Sequence, residues 1–159
     1  MNINLSVTLG VITMEIYNRK ARHDYNILEE YECGIVLKGT EIKSIRSNGC
    51  NIADSYGNIR KSELYILNMF IGLYKEGNIF NHSETRTRKL LMHKKEIAKI
   101  EEKVKLEGLT LIPLKVYLKK NKVKVLLALC KGKKDYDKRE SIKERDIKRQ
   151  LDRVSKNNY

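Results

Sequence analysis

The chain has 159 residues, with 33 Lys and Arg against 20 Asp and Glu, a formal net charge of +13 and a pI of about 9.6. A globular protein with such an excess of cations usually binds nucleic acid or an anionic membrane surface. No apolar run approaches the roughly 20 residues that span a bilayer, and no amphipathic segment has the aromatic face of an interfacial anchor, so we expect nucleic acid and no membrane partner. The length suits one domain of about 130 residues followed by a basic tail.

The cysteines and histidines show no paired-cysteine or metal-ligand spacing. We therefore expect reduced, mostly buried thiols in a cytoplasmic protein, and neither a metal nor a cofactor. The residues concerned are Cys33, Cys50, Cys130, His23, His82 and His93.

Residues 1–13 carry no charge, and their apolar positions alternate with polar ones. They lack the positive start and cleavage site of a secretory signal. Two alternatives stay open: an extra edge strand, or an extension ahead of a true start at Met14. We favour the extension, because the organised basic sequence begins just after Met14.

Residues 18–25 (NRKARHDY) place three cations and an imidazole before the first strand-like run, at residues 25–37. This basic arm suits phosphate contact, and His23 and Tyr25 could stack on bases. An ordinary basic arm is the alternative. Gly34 is predicted to mark a bulge or a sharp bend in the strand.

Residues 39–49 predict a short helix that Thr40 caps and Gly49 ends, with Ile42 and Ile45 facing inward. Its polar residues Lys43, Ser44 and Arg46 are predicted to face outward. A meander of short strands is predicted over residues 51–71, with a break at Gly57 and Asn58.

Residues 72–87 read as a long loop, which ends on the basic cluster at residues 85–89 (TRTRK). The cluster is predicted to bind phosphate through Arg86, Arg88 and Lys89, with a solvated turn as the alternative. Residues 94–106 then predict a helix that ends at Gly108, because Ile97, Ile100 and Val104 recur at helical spacing and indicate a core-facing stripe.

Two strands, at residues 109–119 and 122–130, are separated by a tight turn at Lys120 and Asn121. Apolar residues alternate with polar ones along both strands, which predicts one buried face and one wet, basic face. In the first strand we place Leu114, Val116 and Leu118 on the buried face.

Residues 131–159 hold eleven Lys and Arg against six Asp and Glu and few apolar groups. Asp137 is predicted to cap a helix whose third residue is Glu140. Such a helix is marginal in water and gains stability from a polyanion. A disordered, solubilising tail is the alternative, but the order of basic, aromatic and capping residues favours the helix.

These elements predict a mainly β fold: a small closed antiparallel barrel of the oligonucleotide-binding (OB) type, with peripheral helices and a basic C-terminal tail. The predicted organisation is residues 1–13 as the extension, 14–130 as the barrel and 131–159 as the tail. Fold alone does not settle function.

Five segments, in order along the chain, resemble the SsrA-binding protein (SmpB) family, the protein partners of transfer-messenger RNA. They are residues 18–25 (NRKARHDY), 39–46 (GTEIKSIR), 51–56 (NIADSY), 85–91 (TRTRKLL) and 131–139 (KGKKDYDKR) with 142–145 (IKER). Residues before Met14 have no counterpart in this pattern. Tyr136 stands where some relatives carry His, and either ring can stack on a base.

The resemblance implies a non-enzymatic OB barrel that binds the tRNA-like domain of transfer-messenger RNA. It further implies delivery with elongation factor Tu to ribosomes stalled without a stop codon, for trans-translation. The tail is expected to enter the empty mRNA channel near the small-subunit decoding site and to become helical there. The protein is expected to be cytoplasmic and ribosome-associated, and to be a monomer when free.

The resemblance, together with the basic clusters, assigns two sets of site residues. The barrel set, expected to contact RNA, is Asn18, Arg19, Lys20, Arg22, His23, Glu32, Glu41, Lys43, Ser44, Arg46, Asn51, Ser55, Tyr56, Arg86, Arg88 and Lys89. The tail set, expected to contact the ribosome, is Gly132, Lys133, Lys134, Tyr136, Asp137, Lys138, Arg139, Ile142, Lys143 and Arg145.

Carboxylates are unexpected on an RNA-facing surface. We expect either Glu32 or Glu41 to orient a nearby Arg or to accept from a base or a 2′-hydroxyl, with a plain structural role as the alternative.

Two alternative functions compete with this one. A ribosomal or initiation-type RNA-binding protein would use the tail only as an electrostatic anchor. An RNA-processing enzyme is disfavoured, because the sequence shows no catalytic carboxylate pair, nucleophile and base set, or metal-ligand spacing.

Overall fold

Antiparallel pairing joins the strands into one sheet that closes on itself. The structure is a computed structural model that describes residues 4–8 and 11–156. The strands are β1 (Asn4–Thr8), β2 (Val11–Tyr17), β3 (Tyr25–Ile35), β4 (Tyr56–Arg60), β5 (Glu63–Leu67), β6 (Arg88–Leu91), β7 (Thr110–Lys119) and β8 (Lys122–Gly132). The α-helices are α1 (Arg19–Asp24), α2 (Gly39–Asn48), α3 (Lys94–Glu107) and α4 (Asp135–Lys156), and a 3-10 turn spans Asn78–Phe80.

Six of the strands form the closed ring, in the order β7-β4-β5-β6-β3-β8 and back to β7. Closure depends on the β7 and β8 hairpin and on the pairing of β4 with β7. β2 pairs with the outer part of β7, and β1 pairs with β2 at the free edge. The predicted small antiparallel barrel is confirmed, and β1 matches the edge-strand alternative for residues 1–13.

The barrel interior is filled by aliphatic side chains from every strand of the ring and from two helices. α2 contributes Ile45 and α3 contributes Ile100, both with no exposed area. Gly108 follows α3 in a left-handed conformation, with φ 62°, which ends the helix. The predicted helix and its core stripe are confirmed.

A second, smaller cluster lies outside the ring, under α1. It consists of Ala21, Ile112, Leu114, Ala128 and Cys130. A bulge between Pro113 and Lys115 reverses the alternation, so Leu114 faces this outer cluster whereas Val116 faces the main core. The predicted single buried face was therefore wrong for the first half of β7, where both faces are covered.

Two of the three predicted chain irregularities lie elsewhere. The bulge in β3 falls between Ile27 and Glu29 and not at Gly34, and the meander turns at Lys61 and Ser62 and not at Gly57. The predicted tight turn at Lys120 and Asn121 is confirmed, with both residues at positive φ, as such hairpins require.

The barrel extends slightly beyond its predicted boundary, because Gly132 still pairs with Tyr25 at the end of β8. α4 begins at Asp135, so Asp137 is its third residue rather than its cap. Asp137 still serves the helix start, since its Oδ2 accepts from the backbone N–H of Lys134 at 3.2 Å. Among the described residues, no helix is long and apolar enough to cross a bilayer.

Candidate nucleic-acid interface

A buried carboxylate organises the basic cluster at the end of the long loop. Glu41, on the first turn of α2, has no exposed area. Its Oε1 accepts from Nε of both Arg86 and Arg88 at 2.8 Å, and its Oε2 accepts from Arg86 at 2.5 Å and from the backbone N–H of Lys38 at 2.6 Å. Each oxygen thus has two donors, and no acceptor capacity is left for a ligand.

Arg88 is as buried as its partner. Its Nη1 donates to the carbonyl oxygens of Met69 and Arg86, and its Nη2 donates to that of Glu84. The predicted phosphate contact of Arg88 was therefore wrong. Arg88 is the first residue of β6, and its side chain lies on the buried side of that strand, bound to Glu41. Arg86 is about one quarter exposed and also bound to Glu41, so the cluster holds α2 against the barrel.

The ionisation of Glu41 follows from these bonds. Burial by itself raises the pKa of this carboxyl group, but the hydrogen bonds from Arg86, Lys38 and Arg88 outweigh it and lower the pKa below the ordinary value. Burial lowers the pKa of Arg88, which the bond to Glu41 opposes. Of the two carboxylates considered, Glu41 is the one bound to arginines, and its bonds are those of a structural role.

Three further residues of the barrel set are buried in the structure, and their contact with RNA stays a prediction. Asn18 caps α1, accepting from the N–H of Ala21 and donating to the carbonyls of Ile52 and Pro113. Ser44 donates to the carbonyl of Gly72 at 2.6 Å. Ser55 is 2% exposed, and its Oγ has no partner among the described residues.

The basic arm at residues 18–25 was predicted without a helix. In the structure it forms the helix α1, with Asn18 as the N-cap. Lys20 lies 3.6 Å from Asp54, and Arg22 lies 3.6 Å from Glu30. These pairs are exposed and contribute little to stability. The cations of α1 thus remain available to an RNA backbone.

One exposed groove, the hairpin groove, lies between α2 and the β7 and β8 hairpin, with a volume of about 500 Å³. Its floor includes Val36 and Leu91, which are both about half exposed. Its lining residues are Gly34, Ile35, Val36, Leu37, Ile42, Arg46, Leu91, Asn121, Lys122, Val123 and Lys124. Arg46 donates to Oδ1 of Asn121 at 3.1 Å, which fixes α2 to the hairpin turn.

Glu32 pairs with Lys124 of this groove and with Lys119, which lies outside the groove's lining. It accepts from Lys119 at 2.8 Å and from the hydroxyl of Tyr117, and Lys124 lies 3.8 Å away. The hydrogen bonds from Lys119 and Tyr117 lower the pKa of Glu32. Glu32 therefore positions cations on the groove's rim.

A second exposed groove, the tail groove, lies where α1, β7 and α4 meet, with a volume of about 720 Å³. Cations outnumber carboxylates in its lining. The lining residues are Tyr17, Asn18, Arg19, Arg22, Glu30, Leu114, Lys115, Leu126 and Arg145.

The rest of the barrel set is absent from the described lining of both grooves. Lys43 is exposed with its Nζ 5.5 Å from the ring centre of Tyr74, and Lys89 is bound to Glu63 at 2.5 Å. His23 Nδ1 lies 2.7 Å from the carboxylate of Asp24. Asn51 and Tyr56 are exposed.

In the tail set, most described side chains are exposed. Gly132 belongs to β8, Lys133 binds the end of α1, and Ile142 is 41% exposed on α4. The side chain of Tyr136 and residues 157–159 lie outside the described part of the chain. The exposed remainder is Lys134, Arg139, Lys143 and Arg145, with Asp137 and Lys138 half-buried.

Several residues that line the grooves were not predicted from the sequence. Lys122 and Lys124 border the hairpin groove, and Tyr17 and Lys115 border the tail groove. The alternation of basic and apolar residues along the last two strands indicated a basic face but not which cations meet which helix.

The cysteines are free and buried, as expected, and burial raises the pKa of Cys33 and Cys50 to about 12 and that of Cys130 to about 11. Such thiols are unreactive near neutral pH. Within the described residues, no group of three His, Cys, Asp or Glu side chains is placed to hold a metal ion.

The family model described as SmpB protein matches residues 15–157, which include the barrel and the whole of α4. The chain belongs to the SmpB family. The matched range begins just after Met14, so residues 1–13 lie outside the SmpB match.

Relatives agree with this assignment. The SsrA-binding protein of Staphylococcus epidermidis is 55% identical over 142 residues, which cover 89% of this chain and 91% of that protein. That of Enterococcus faecalis is 54% identical over 141 residues, covering 89% and 92%.

Among solved structures, a chain of "tmRNA-SmpB: a journey to the center of the bacterial ribosome" is 47% identical, with a TM-score of 0.64. The match covers 76% of this SmpB-family chain and 85% of that one. Both curated relatives are named SsrA-binding protein.

Proposed function

We propose that this protein binds the tRNA-like domain of transfer-messenger RNA and brings it to stalled ribosomes for trans-translation, as a non-enzymatic RNA-binding factor of the cytoplasm. The observation that carries the proposal is the continuous SmpB match over both the barrel and α4. Similar proteins are named SsrA-binding protein, and the similar structure is a complex of tmRNA and SmpB described with the bacterial ribosome.

The barrel is the part that we assign to transfer-messenger RNA. The hairpin groove offers an apolar floor for a base or sugar and a rim of Arg46, Lys122 and Lys124 for phosphates. Glu32 and Asn121 hold cations of that rim in place. This pre-organisation lowers the entropy that the side chains lose on binding.

We assign α4 to the ribosome, where it would occupy the empty mRNA channel near the decoding site. Its exposed face holds cations, and few of its side chains are covered by the barrel. A helix with so little packing gains much of its stability from a partner, and an RNA-walled channel supplies phosphates along its length. An mRNA in the channel would exclude the helix by occupying the same space. Elongation factor Tu is proposed as the third member of the delivery complex, with the free protein as a monomer.

Truncation after Gly132 tests the division between barrel and tail. The truncated protein should retain affinity for the tRNA-like domain, because the hairpin groove is intact, but should not support peptide tagging on stalled ribosomes. If the tail were only an electrostatic anchor for a ribosomal or initiation-type protein, RNA affinity would fall in proportion to the charge removed. The full-length chain, purified with its bound RNA and sequenced, should yield transfer-messenger RNA.

A further inference from the structure

The long loop between β5 and β6 has a fixed shape near its middle. Asn81 binds the backbone of Tyr74 across the loop: its Oδ1 accepts from the N–H at 3.2 Å, and its Nδ2 donates to the carbonyl oxygen at 2.7 Å. The N–H of Gly77 donates to the same carbonyl oxygen at 2.9 Å. Residues 74–81 therefore form a compact loop whose ends are joined, a kind of surface loop that frequently has a function.

A buried histidine fixes this loop to the rest of the fold. His82 is 3% exposed, and its Nδ1 lies 3.0 Å from Oγ1 of Thr40, on the first turn of α2. Its Nε2 lies 3.1 Å from the carbonyl oxygen of Ile71, and Ser44 of α2 donates to the carbonyl of Gly72 at 2.6 Å. These bonds hold both ends of the loop against α2 and the barrel, and so determine where its tip lies.

Two adjacent apolar side chains lie at the tip of the loop, in the 3-10 turn Asn78–Phe80. Ile79 is 89% exposed and Phe80 is 84% exposed, more than any other large apolar side chain that the structure describes. Leu73, on the same loop, is half exposed. Exposed apolar groups gain free energy when a partner removes them from water, so a rigid loop with such a tip indicates an interaction site.

The charges around the tip do not favour RNA as that partner. Residues 72–84 contain one cation, Lys75, against Glu76 and Glu84, a formal charge of −1 in a chain of net charge +13. Lys43 of α2, with its Nζ 5.5 Å from the ring centre of Tyr74, brings the local sum to zero. Because contacts between cations and phosphates dominate RNA binding, a neutral surface with an apolar tip suits a pocket on a protein.

We propose that Ile79 and Phe80 dock into an apolar pocket on a ribosomal protein. This inference rests on the proposed function, which brings the chain to the ribosome, and the similar solved structure is described with the ribosome. Neither residue belongs to the described lining of the hairpin groove or the tail groove. The contact therefore attaches the barrel to the ribosome without using the surface assigned to transfer-messenger RNA.

Photocrosslinking from the tip tests the identity of the partner. Phe80 is replaced by the photoreactive p-benzoyl-phenylalanine in the full-length chain. The protein is then assembled with transfer-messenger RNA, elongation factor Tu and ribosomes stalled on an mRNA without a stop codon. Irradiation should join position 80 to a ribosomal protein, which mass spectrometry identifies. The matched control places the same group at Leu106, which is 78% exposed on α3, and should not give this adduct.

Co-sedimentation with the stalled ribosomes measures what the contact contributes. The double variant Ile79→Ser with Phe80→Ser should bind ribosomes at least about tenfold more weakly, because buried aromatic anchors carry much of the binding energy of an interface. Its affinity for the tRNA-like domain and its circular dichroism should be unchanged, since both side chains are exposed in the free protein. Phe80→Met should retain most of the ribosome affinity, because an apolar pocket accepts a flexible thioether whereas stacking on a base requires a ring.

An adduct of position 80 with ribosomal RNA, transfer-messenger RNA, the elongation factor or a second copy of the chain in place of a ribosomal protein overturns the inference. So does a Phe80→Met variant that binds ribosomes no better than the double serine variant. If the wild-type chain sediments with stalled ribosomes but position 80 forms no adduct, the inference fails and the proposed function stands. If the wild-type chain does not sediment with them, the proposed function fails and the inference fails with it.

Discussion

The Nε of Arg88 lies 2.8 Å from Oε1 of Glu41, and neither side chain has any exposed area. The two residues are 47 positions apart, and their pairing joins α2 to β6. Burying a charge is costly unless it is paired and hydrogen-bonded, and here each nitrogen of the Arg88 guanidinium and each oxygen of the Glu41 carboxylate has a hydrogen-bond partner. The pair specifies how α2 sits on the barrel and hence where Arg46 reaches the hairpin.

Replacing Glu41 by Gln should strongly destabilise the fold. The variant leaves Arg88 buried without its counter-charge, and breaking such a pair costs about 3–5 kcal/mol. Urea unfolding followed by circular dichroism measures the free energy of unfolding. Glu63→Gln is the control, because the Glu63 and Lys89 pair is about 40% exposed and screened by water. Equal stability of the two variants would contradict the structural role given to Glu41.

The parts of the fold that the sequence predicted depend on local patterns. The stripe of Ile97, Ile100 and Val104 reports one helix face, and the turn at Lys120 and Asn121 separates two alternating runs. Such signals need no knowledge of distant residues. The closed barrel followed from the number and spacing of these elements.

The errors came from long-range effects. The sequence alone does not show which arginines are buried, so Arg88 was predicted to bind phosphate. In the structure its partner is Glu41, which is distant in sequence. The single bulge at Leu114 exchanged the two faces of β7, because one extra residue reverses all later side chains. The tail groove could not be predicted from the sequence either, because it forms only where α4 lies beside α1.

Stability should fall at acid pH in a way that depends on Glu41. Its pKa in the folded state lies below the ordinary value of 4.5 that it regains on unfolding. The unfolded state therefore binds more protons in this range, and the stabilisation is present above about pH 4.5 and lost as pH falls through the folded-state pKa.

Unfolding free energies of the wild type and Glu41→Gln, measured from about pH 7 down to about pH 3, isolate this contribution from that of the other carboxyl groups. The difference between the two proteins should shrink as pH falls. A difference independent of pH would mean that the glutamine variant acts through packing alone.

Substituting Gly57 by Ala should weaken the closure of the barrel. A Cβ at this position would lie 2.7 Å from Cβ of Leu111, in the pairing of β4 with β7. Relief of this overlap requires the strands to separate, and overpacking of this kind costs about 1–3 kcal/mol. Gly39→Ala is the matched control, because no atom lies within 4 Å of its added Cβ and alanine favours helix. Thermal unfolding should place Gly57→Ala below the wild type and Gly39→Ala at or above it, and the reverse order would exclude tight contact at Leu111.

The start of α4 should depend on Asp137. Its carboxylate accepts from the N–H of Lys134, and losing a side-chain contact at a helix start costs about 1 kcal/mol. Because the barrel covers little of α4, a loss of this size shifts the helix population noticeably. Asp137→Ala should therefore lower the helical circular dichroism of the full-length chain, while Asp137→Glu retains it, since glutamate suits the third position.

Asp146→Ala provides the comparison: its pair with Arg149 is exposed and 3.9 Å long, so little helix should be lost. If both alanine variants lose the same signal, the bond to Lys134 does not hold the helix start, and α4 depends on its contacts with α1 instead.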